Sequence, residues 1–397
     1  MNSLSSNKSS NLSGEIIVPG DKSISHRALI IGSMVTGKLK IKNLLESEDV
    51  IATADALKTL GVKINKNKNI WEVFGNGIGN LYGSNFRLDL GNSGTGSRLL
   101  MGLIAGSEVE ATILGDDSLS KRPMKRIITP LLKIGAVFDD PNNDKLPIKI
   151  KGTKIPLPIE YSSPVASAQI KSSILLAGLS STGNTTIIEP ALSRDHTERM
   201  LNYLGAHVTT TQLLNTSWKT TLIGLPSLKP LDIEIPSDPS SAAFPIVSSI
   251  ITPNSEIKIL NVCINDLRMG LYKTLIEMGA KISFSNKREI NGEPIADISA
   301  EYSILKGIKI PKSRVASMID EFPILSIAAV RAVGETIMEG IEELRVKETD
   351  RIKAISLGLR SVGIETKEKS DSMVIKGIGP KRTIKGNVTI KSKLDHR

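Results

Sequence analysis

Three short stretches of the 397-residue chain concentrate side chains suited to binding anions. Gly91-Asn-Ser-Gly-Thr-Gly-Ser-Arg98 is a Gly-rich turn ahead of an apolar run, without the Lys-Ser/Thr pair that would make it a Walker A loop. Gly115-Asp-Asp-Ser-Leu-Ser-Lys-Arg-Pro-Met-Lys-Arg126 sets Lys121 and Arg122 just before a helix expected to open at Pro123. The planar fork of an arginine matches carboxylate and phosphate. Leu344-Arg-Val-Lys-Glu-Thr-Asp-Arg351 packs Arg345, Lys347, Glu348, Asp350 and Arg351 into one turn region, in the same setting as Arg194-Asp-His-Thr-Glu198. Alone, each also reads as a tight turn or a solvated charged face.

The elements that must position these residues repeat. Each copy holds a polar opening rich in Ser, Asp or Gly, an apolar helix, a short strand, and an amphipathic helix that ends on a Gly turn. The closing glycines Gly61, Gly135, Gly205, Gly279 and Gly363 are spaced by 74, 70, 74 and 84 residues. The openings are Gly20-Asp-Lys-Ser23, Gly91-Asn-Ser-Gly94, Ser162-Ser-Pro164, Pro236-Ser-Asp-Pro239, Ser317-Met-Ile-Asp320 and Lys393-Leu-Asp-His-Arg397. An internal repeat decides the architecture, here α/β. Polar turns ahead of helices also present backbone N–H groups at the positive end of the helix dipole, which suits anions.

The runs Arg27–Met34, Arg98–Ala105, Ile170–Ala177, Ala242–Val247 and Phe322–Ala329 are apolar nearly all round and must be buried together. The second helices are amphipathic, with Met124, Ile127, Ile128, Leu131 and Leu132 on the inner face of one of them. Neighbouring repeats must share cores. The Pro-rich stretch Lys229–Pro236 separates two domains, 20–236 and 1–19 plus 237–397.

Composition narrows the function. With 51 Lys and Arg against 41 Asp and Glu, the formal charge is +10. Aromatic content of 3% leaves few stacking platforms, so no nucleic-acid partner is expected. A small, multiply charged anion explains the basic balance at least as well as solvated lysines do. One cysteine, Cys263, sits in a strand-like run and reads as a core residue; with four histidines and no HExxH cluster, no metal is expected. No apolar stretch spans a bilayer, and Met1–Ser13 reads as a frayed tail, not a secretory signal.

Together, Gly20-Asp-Lys-Ser-Ile-Ser-His-Arg27, Asn92-Ser-Gly-Thr95, Lys121-Arg-Pro-Met124, Ser167-Ala-Gln169, Ser193-Arg-Asp-His-Thr-Glu198, Met318-Ile-Asp-Glu321, Arg345-Val-Lys-Glu348 and Asp395-His-Arg397 resemble the enolpyruvyl transferases. The similarity runs in order along nearly the whole chain, and its Ser-Ala-Gln and Arg-Asp-His-Thr-Glu motifs resemble the branch acting on shikimate 3-phosphate. The resemblance implies a two-domain fold of βαβαββ-type units, six expected and the sixth incomplete here, that closes around its substrates. It implies attack of the 5-hydroxyl of shikimate 3-phosphate on C2 of phosphoenolpyruvate, with loss of phosphate, by a cytoplasmic monomer without cofactor.

By that resemblance, Lys22, Asn92, Gly94, Thr95, Arg122, Gln169, Arg351 and Arg397 hold phosphoenolpyruvate. Lys22, Ser23, Arg27, Ser167, Ala168, Gln169, Arg194, Asp320 and Lys347 hold shikimate 3-phosphate. Asp320 is the candidate base and Glu348 the candidate proton donor, shared with Lys22 or His396. Asp320 also reads as a cap for the helix near Pro323. Gly94 leaves room for glyphosate in the phosphoenolpyruvate subsite. Two alternatives are a UDP-N-acetylglucosamine enolpyruvyl transferase, which would carry a reactive Cys in the Gly115–Lys121 loop, and a catalytically impaired anion- or RNA-binding relative. Members of the family continue past Asp-His-Arg with a helix, strand and helix, so apolar surface is expected on the neighbours of the sixth opening.

Overall fold

A computed structural model describes residues 6–393 and 395. The chain folds as two compact lobes. The N-lobe is Pro19–Pro236 with Glu289–Glu293; the C-lobe is Ser237–Arg288 and Pro294 onward, with the N-terminal segment up to Val18.

In the N-lobe the apolar runs form α1 (Lys22–Gly32), α3 (Gly94–Ala105) and α5 (Ala168–Gly178), alternating with the amphipathic α2 (Glu48–Thr59), α4 (Lys125–Ile134) and α6 (His196–Tyr203). Helix α1 is buried from Ile24 to Gly32 and α5 from Ile170 to Gly178, as helices without a polar face must be. In the C-lobe the corresponding pairs are α7 (Pro239–Ile251) with α8 (Gly270–Glu277), and α9 (Phe322–Arg331) with α10 (Arg351–Ser361). Their shared core includes Ile246, Leu271, Tyr272, Phe322, Leu325 and Ile352.

The repeat is equally plain in the sheets. Thr36–Lys42 pairs antiparallel with Ile70–Asn76, which pairs antiparallel with Lys63–Asn67, while Ile233–Glu234 joins the other edge in parallel. The same order recurs for Tyr82–Asp89, Glu108–Leu114, Ile148–Lys151 and Val137–Phe138. It recurs again for Glu160–Ser162, Asn184–Glu189, Trp218–Ile223 and Val208–Gln212. In the C-lobe, Ser13–Ile16 pairs in parallel with Glu256–Cys263, in the register Ser13 to Glu256 through Ile16 to Ile259. The last sheet holds Val333–Glu339, Ser372–Ile378 and Thr366–Glu368, and parallel bridges from Lys306 and Lys309 take the outer place.

The closing glycines all lie in the left-handed region, at φ of +88°, +110°, +100°, +101° and +86° from Gly61 to Gly363. An L side chain there would be strained, so glycine ends each amphipathic helix. Two local expectations are revised. Helix α4 begins at Lys125, not Pro123: Arg122 is extended at ψ 135°, and Met124, at φ −112°, takes the cap position. Leu132 is 40% exposed, whereas Met124, Ile127, Ile128 and Leu131 are buried. Cys263 is buried in its strand.

Candidate active site

Most of the polar openings cap helices. The side chain of Asp21 accepts from Ile24 N at 2.8 Å, Ser93 from Gly96 N at 3.1 Å, Ser167 from Ile170 N at 3.5 Å, and Asp238 from Ser240 N at 2.9 Å. The caps open helices whose first residues are the candidate ligand groups: Lys22 on α1, Gly94 and Thr95 on α3, Ala168 and Gln169 on α5.

In the N-lobe one hydrogen-bonded network joins the Gly91–Arg98 turn, the Gly115–Arg126 loop and the start of α5. Arg122 donates to Asn92 Oδ1 at 2.5 Å, and Asn92 Nδ2 donates to Asp116 Oδ2 at 2.7 Å. Arg98 donates through one terminal nitrogen to Gly94 O and to Gln169 Oε1, both at 3.1 Å. Gln169 Nε2 donates to Thr95 Oγ1 at 3.0 Å. Asn92, Gly94, Thr95, Arg122 and Gln169 are thus brought together around Arg98, a residue without a role in the sequence reading. A Cβ placed on Gly94 would lie 2.9 Å from one nitrogen of Arg98 and 3.0 Å from one of Arg122.

Lys22 Nζ stands 3.0 Å from Asp49 Oδ2, both side chains about a fifth exposed. Asp49 also escaped sequence reading, since a carboxylate in the first turn of α2 looks like an ordinary helix-dipole residue. One turn beyond Ser23, Arg27 is buried, and three of its five donors are engaged. They reach Ser23 O at 2.9 Å, Thr197 Oγ1 at 2.7 Å and Ser172 Oγ at 2.8 Å. Burial brings the Arg27 pKa down to about 10, with Glu198 and Asp21 opposing and Arg194 adding to the fall. Arg194 therefore lies within electrostatic reach of Arg27. Ser167 N donates to Glu189 Oε1 at 2.9 Å. The lobe also holds a buried hydrogen bond between His196 Nδ1 and Glu293 Oε1 at 2.7 Å.

In the C-lobe the site gathers on Arg351, the first residue of α10. Its Nε donates to Asp395 Oδ2 at 2.9 Å, one terminal nitrogen lies 2.5 Å from Glu348 Oε2, and the other lies 3.7 Å from Asp320 Oδ1. Three candidate residues, Asp320, Glu348 and Arg351, thus form one cluster, with Asp395 as a further member. Lys347 joins them: burial pushes its amine below the usual lysine range, and Asp320 and Glu343 act against that shift. Asp320 does not cap α9. The cap position falls on Glu321, whose side chain instead accepts a short hydrogen bond from Ser240 Oγ at the start of α7. His396 and Arg397 lie outside the described residues.

Beside this cluster, Pro323, Ile327 and Val330 of α9, Ile355 and Leu359 of α10, and Ile384 and Ile390 line an apolar cavity of about 480 Å³. Among the described residues, no group of three or more His, Cys, Asp or Glu side chains is arranged to hold a metal ion.

Repeated helix–sheet units whose Ser-, Asp- and Gly-rich openings lie beside Lys, Arg and Gln side chains, with carboxylates on a buried arginine, are the arrangement of an enolpyruvyl-transferase type of protein. The profile of the EPSP synthase family (3-phosphoshikimate 1-carboxyvinyltransferase) matches residues 6–397. A 3-phosphoshikimate 1-carboxyvinyltransferase of Parvibaculum lavamentivorans is 50% identical over 396 residues, covering 100% of this chain and 87% of the relative. One from Zymomonas mobilis is 48% identical over 398 residues, covering 99% of this chain and 87% of its own. The structure of an EPSP synthase from Acinetobacter baumannii superposes with a TM-score of 0.82 at 42% identity, covering 93% of this chain and 82% of that one. The chain belongs to the EPSP synthase family. That match selects the shikimate branch over the UDP-N-acetylglucosamine branch.

Proposed function

We propose that this chain transfers the enolpyruvyl group of phosphoenolpyruvate to the 5-hydroxyl of shikimate 3-phosphate and releases phosphate. The observation that carries the reading is the network that fastens Arg122, Arg98 and Gln169 to the opening of α3. It presents two guanidinium groups and an amide beside the Gly94–Thr95 helix start, a fixed cradle for an anion. In this reading Lys22, Asn92, Gly94, Thr95, Arg122, Gln169 and Arg351 hold phosphoenolpyruvate. Lys22, Ser23, Arg27, Ser167, Ala168, Gln169, Arg194, Asp320 and Lys347 hold shikimate 3-phosphate.

The chemistry is an addition followed by an elimination. Asp320 takes the proton of the 5-hydroxyl as its oxygen bonds to C2 of phosphoenolpyruvate, and Glu348 delivers a proton to the methylene carbon. In the second step a proton leaves that carbon, the double bond re-forms, and the C2–O bond to phosphate breaks. Arg351, within reach of both carboxylates, fixes their positions and offsets their charge. Such acid–base assistance is typically worth roughly 10²–10⁴-fold, with fixed cations stabilising the charge that develops. The same reading makes the protein a cytoplasmic monomer, in keeping with small diffusible substrates; light scattering on the purified chain checks the monomer.

The test is phosphate release on mixing the chain with both substrates, beside the Asp320→Asn variant. The wild type turns over, and Asp320→Asn loses roughly 10²-fold or more in kcat, far more than it loses in affinity for shikimate 3-phosphate. Unchanged turnover removes Asp320 as base, and a wild type that releases no phosphate removes the function.

A further inference from the structure

The first turn of α5 carries a lysine in an otherwise apolar run, and it is wholly buried. Lys171 is 0% exposed, with Nζ 3.0 Å from Glu189 Oε2 and 2.7 Å from Glu198 Oε1, and it donates to Ser193 O at 3.2 Å. Both carboxylates are buried in turn. Burial, the largest single influence on the Lys171 amine, lowers its pKa, but the two carboxylates together outweigh it and the net shift is upward. Lys171 is therefore a fixed positive charge. The buried Arg27 guanidinium lies next to the group, on Ser172 and Thr197, so two cations stand against two carboxylates.

Such a cluster is poorly explained as a source of stability. Dehydrating each ion costs several kcal/mol, and apolar side chains of similar volume often serve as well or better. What the cluster does is join two segments. Glu189 Oε1 accepts from Ser167 N at 2.9 Å and from Ser193 Oγ at 2.8 Å, while Lys171 holds Glu189 from its other oxygen and Ser193 from its carbonyl. One segment carries Ser167, Ala168 and Gln169. The other carries Arg194. The first is the cap and opening turn of α5, the second the loop before α6; Glu189 bridges them directly, and the Lys171 ammonium holds both Glu189 and Ser193.

We propose that Lys171 is a positioning residue for the sugar-phosphate substrate. Through Glu189 and Ser193 it sets the spacing of the Ser167–Gln169 turn from the Arg194 loop, and so governs affinity for shikimate 3-phosphate without touching it. The inference rests on the functional reading above.

Steady-state phosphate release, with each substrate varied in turn, tests it on the wild type, Lys171→Met and Ser193→Ala. Lys171→Met raises KM for shikimate 3-phosphate roughly ten-fold or more, while KM for phosphoenolpyruvate moves less than about three-fold. Ser193→Ala, which removes one hydroxyl and no charge, moves the same constant in the same direction by roughly three-fold. A merely structural lysine would lower the melting temperature and leave that split flat. An unchanged KM for shikimate 3-phosphate in folded Lys171→Met, or an equal rise for both substrates, overturns the proposal. If Lys171→Met does not fold, an unchanged constant in Ser193→Ala overturns it. A wild type without phosphate release overturns the functional reading and this inference with it, whereas an active wild type with unmoved variants overturns this inference alone.

Discussion

Gly94 shows how little room there is in the cradle proposed for phosphoenolpyruvate. A methyl group there would press on a terminal nitrogen of Arg98 at 2.9 Å and of Arg122 at 3.0 Å, the far ends of flexible side chains that can yield. Gly94→Ala should therefore fold normally yet displace the two guanidinium groups. The expected result is a KM for phosphoenolpyruvate higher by roughly ten-fold, about 1.4 kcal/mol, with weaker inhibition by glyphosate than the wild type shows. Equal kinetics and inhibition in both proteins would remove Gly94 as the determinant of that space. The candidate ligand groups were readable as motifs, because anion binding draws on a few residue types in short spans. Arg98, Asp49 and Lys171 were not. Arg98 ends a legible motif but gains its role only when α5 brings Gln169 beside it. Lys171 sits in the run Ile170–Ala177, where a lone lysine reads as one exposed position on a helix; its partners come from a strand and from α6, through 18 and 27 residues of intervening chain geometry that no local pattern encodes.

Among the elements, the openings obey one rule with one departure. Asp21, Ser93, Ser167 and Asp238 each cap the apolar helix that follows, so in four repeats the same residue class secures the helix and aims its first turn. At α9 the cap position has no side-chain hydrogen bond to the helix; Asp320 faces Arg351 and Glu321 turns to Ser240. A local rule broken at one copy of a repeat is where function is expected to override stability. Ser93→Ala should cost about 1 kcal/mol in urea unfolding, in the usual range for a lost N-cap. Asp320→Asn should leave unfolding within about 0.5 kcal/mol of the wild type despite its loss of turnover. A cap-sized destabilisation by Asp320→Asn would return it to the ordinary role. The repeat, its closing glycines and its buried helices were legible from periodicity and φ preference. The outer parallel strands of the N-lobe sheets were not, because each is drawn from the neighbouring repeat, whereas residues 1–19 were already assigned to the C-terminal domain.

For the folded molecule, pH acts through a buried group, next to Arg27, that has no part in the proposed reaction. His26 is fully buried in the N-lobe, with Nδ1 2.9 Å from Thr53 Oγ1, and its pKa is lowered to about 3. Burial is the main cause; Lys22 and Arg27 add to it, and Asp49 and Asp21 oppose it. An unfolded chain binds this proton near pH 6.5, so the neutral buried ring favours folding fully above that pH and progressively less as pH falls toward 3. Between pH 7 and pH 5 the loss should be on the order of 2 kcal/mol in urea unfolding, and His26→Gln should flatten that part of the slope. An equal slope in the variant would assign the acid sensitivity to other groups. A different consequence follows from the strand Ser13–Ile16, whose partner is Glu256–Ile259. On a ribosome adding about 5–20 residues per second, those four residues wait roughly 10–50 s for their mate to be made. The intervening stretch meanwhile contains the whole Pro19–Pro236 segment, able to begin folding first. That β-strand is thus made well before its sheet, and the nascent chain must keep the edge unpaired until Glu256–Ile259 has been made.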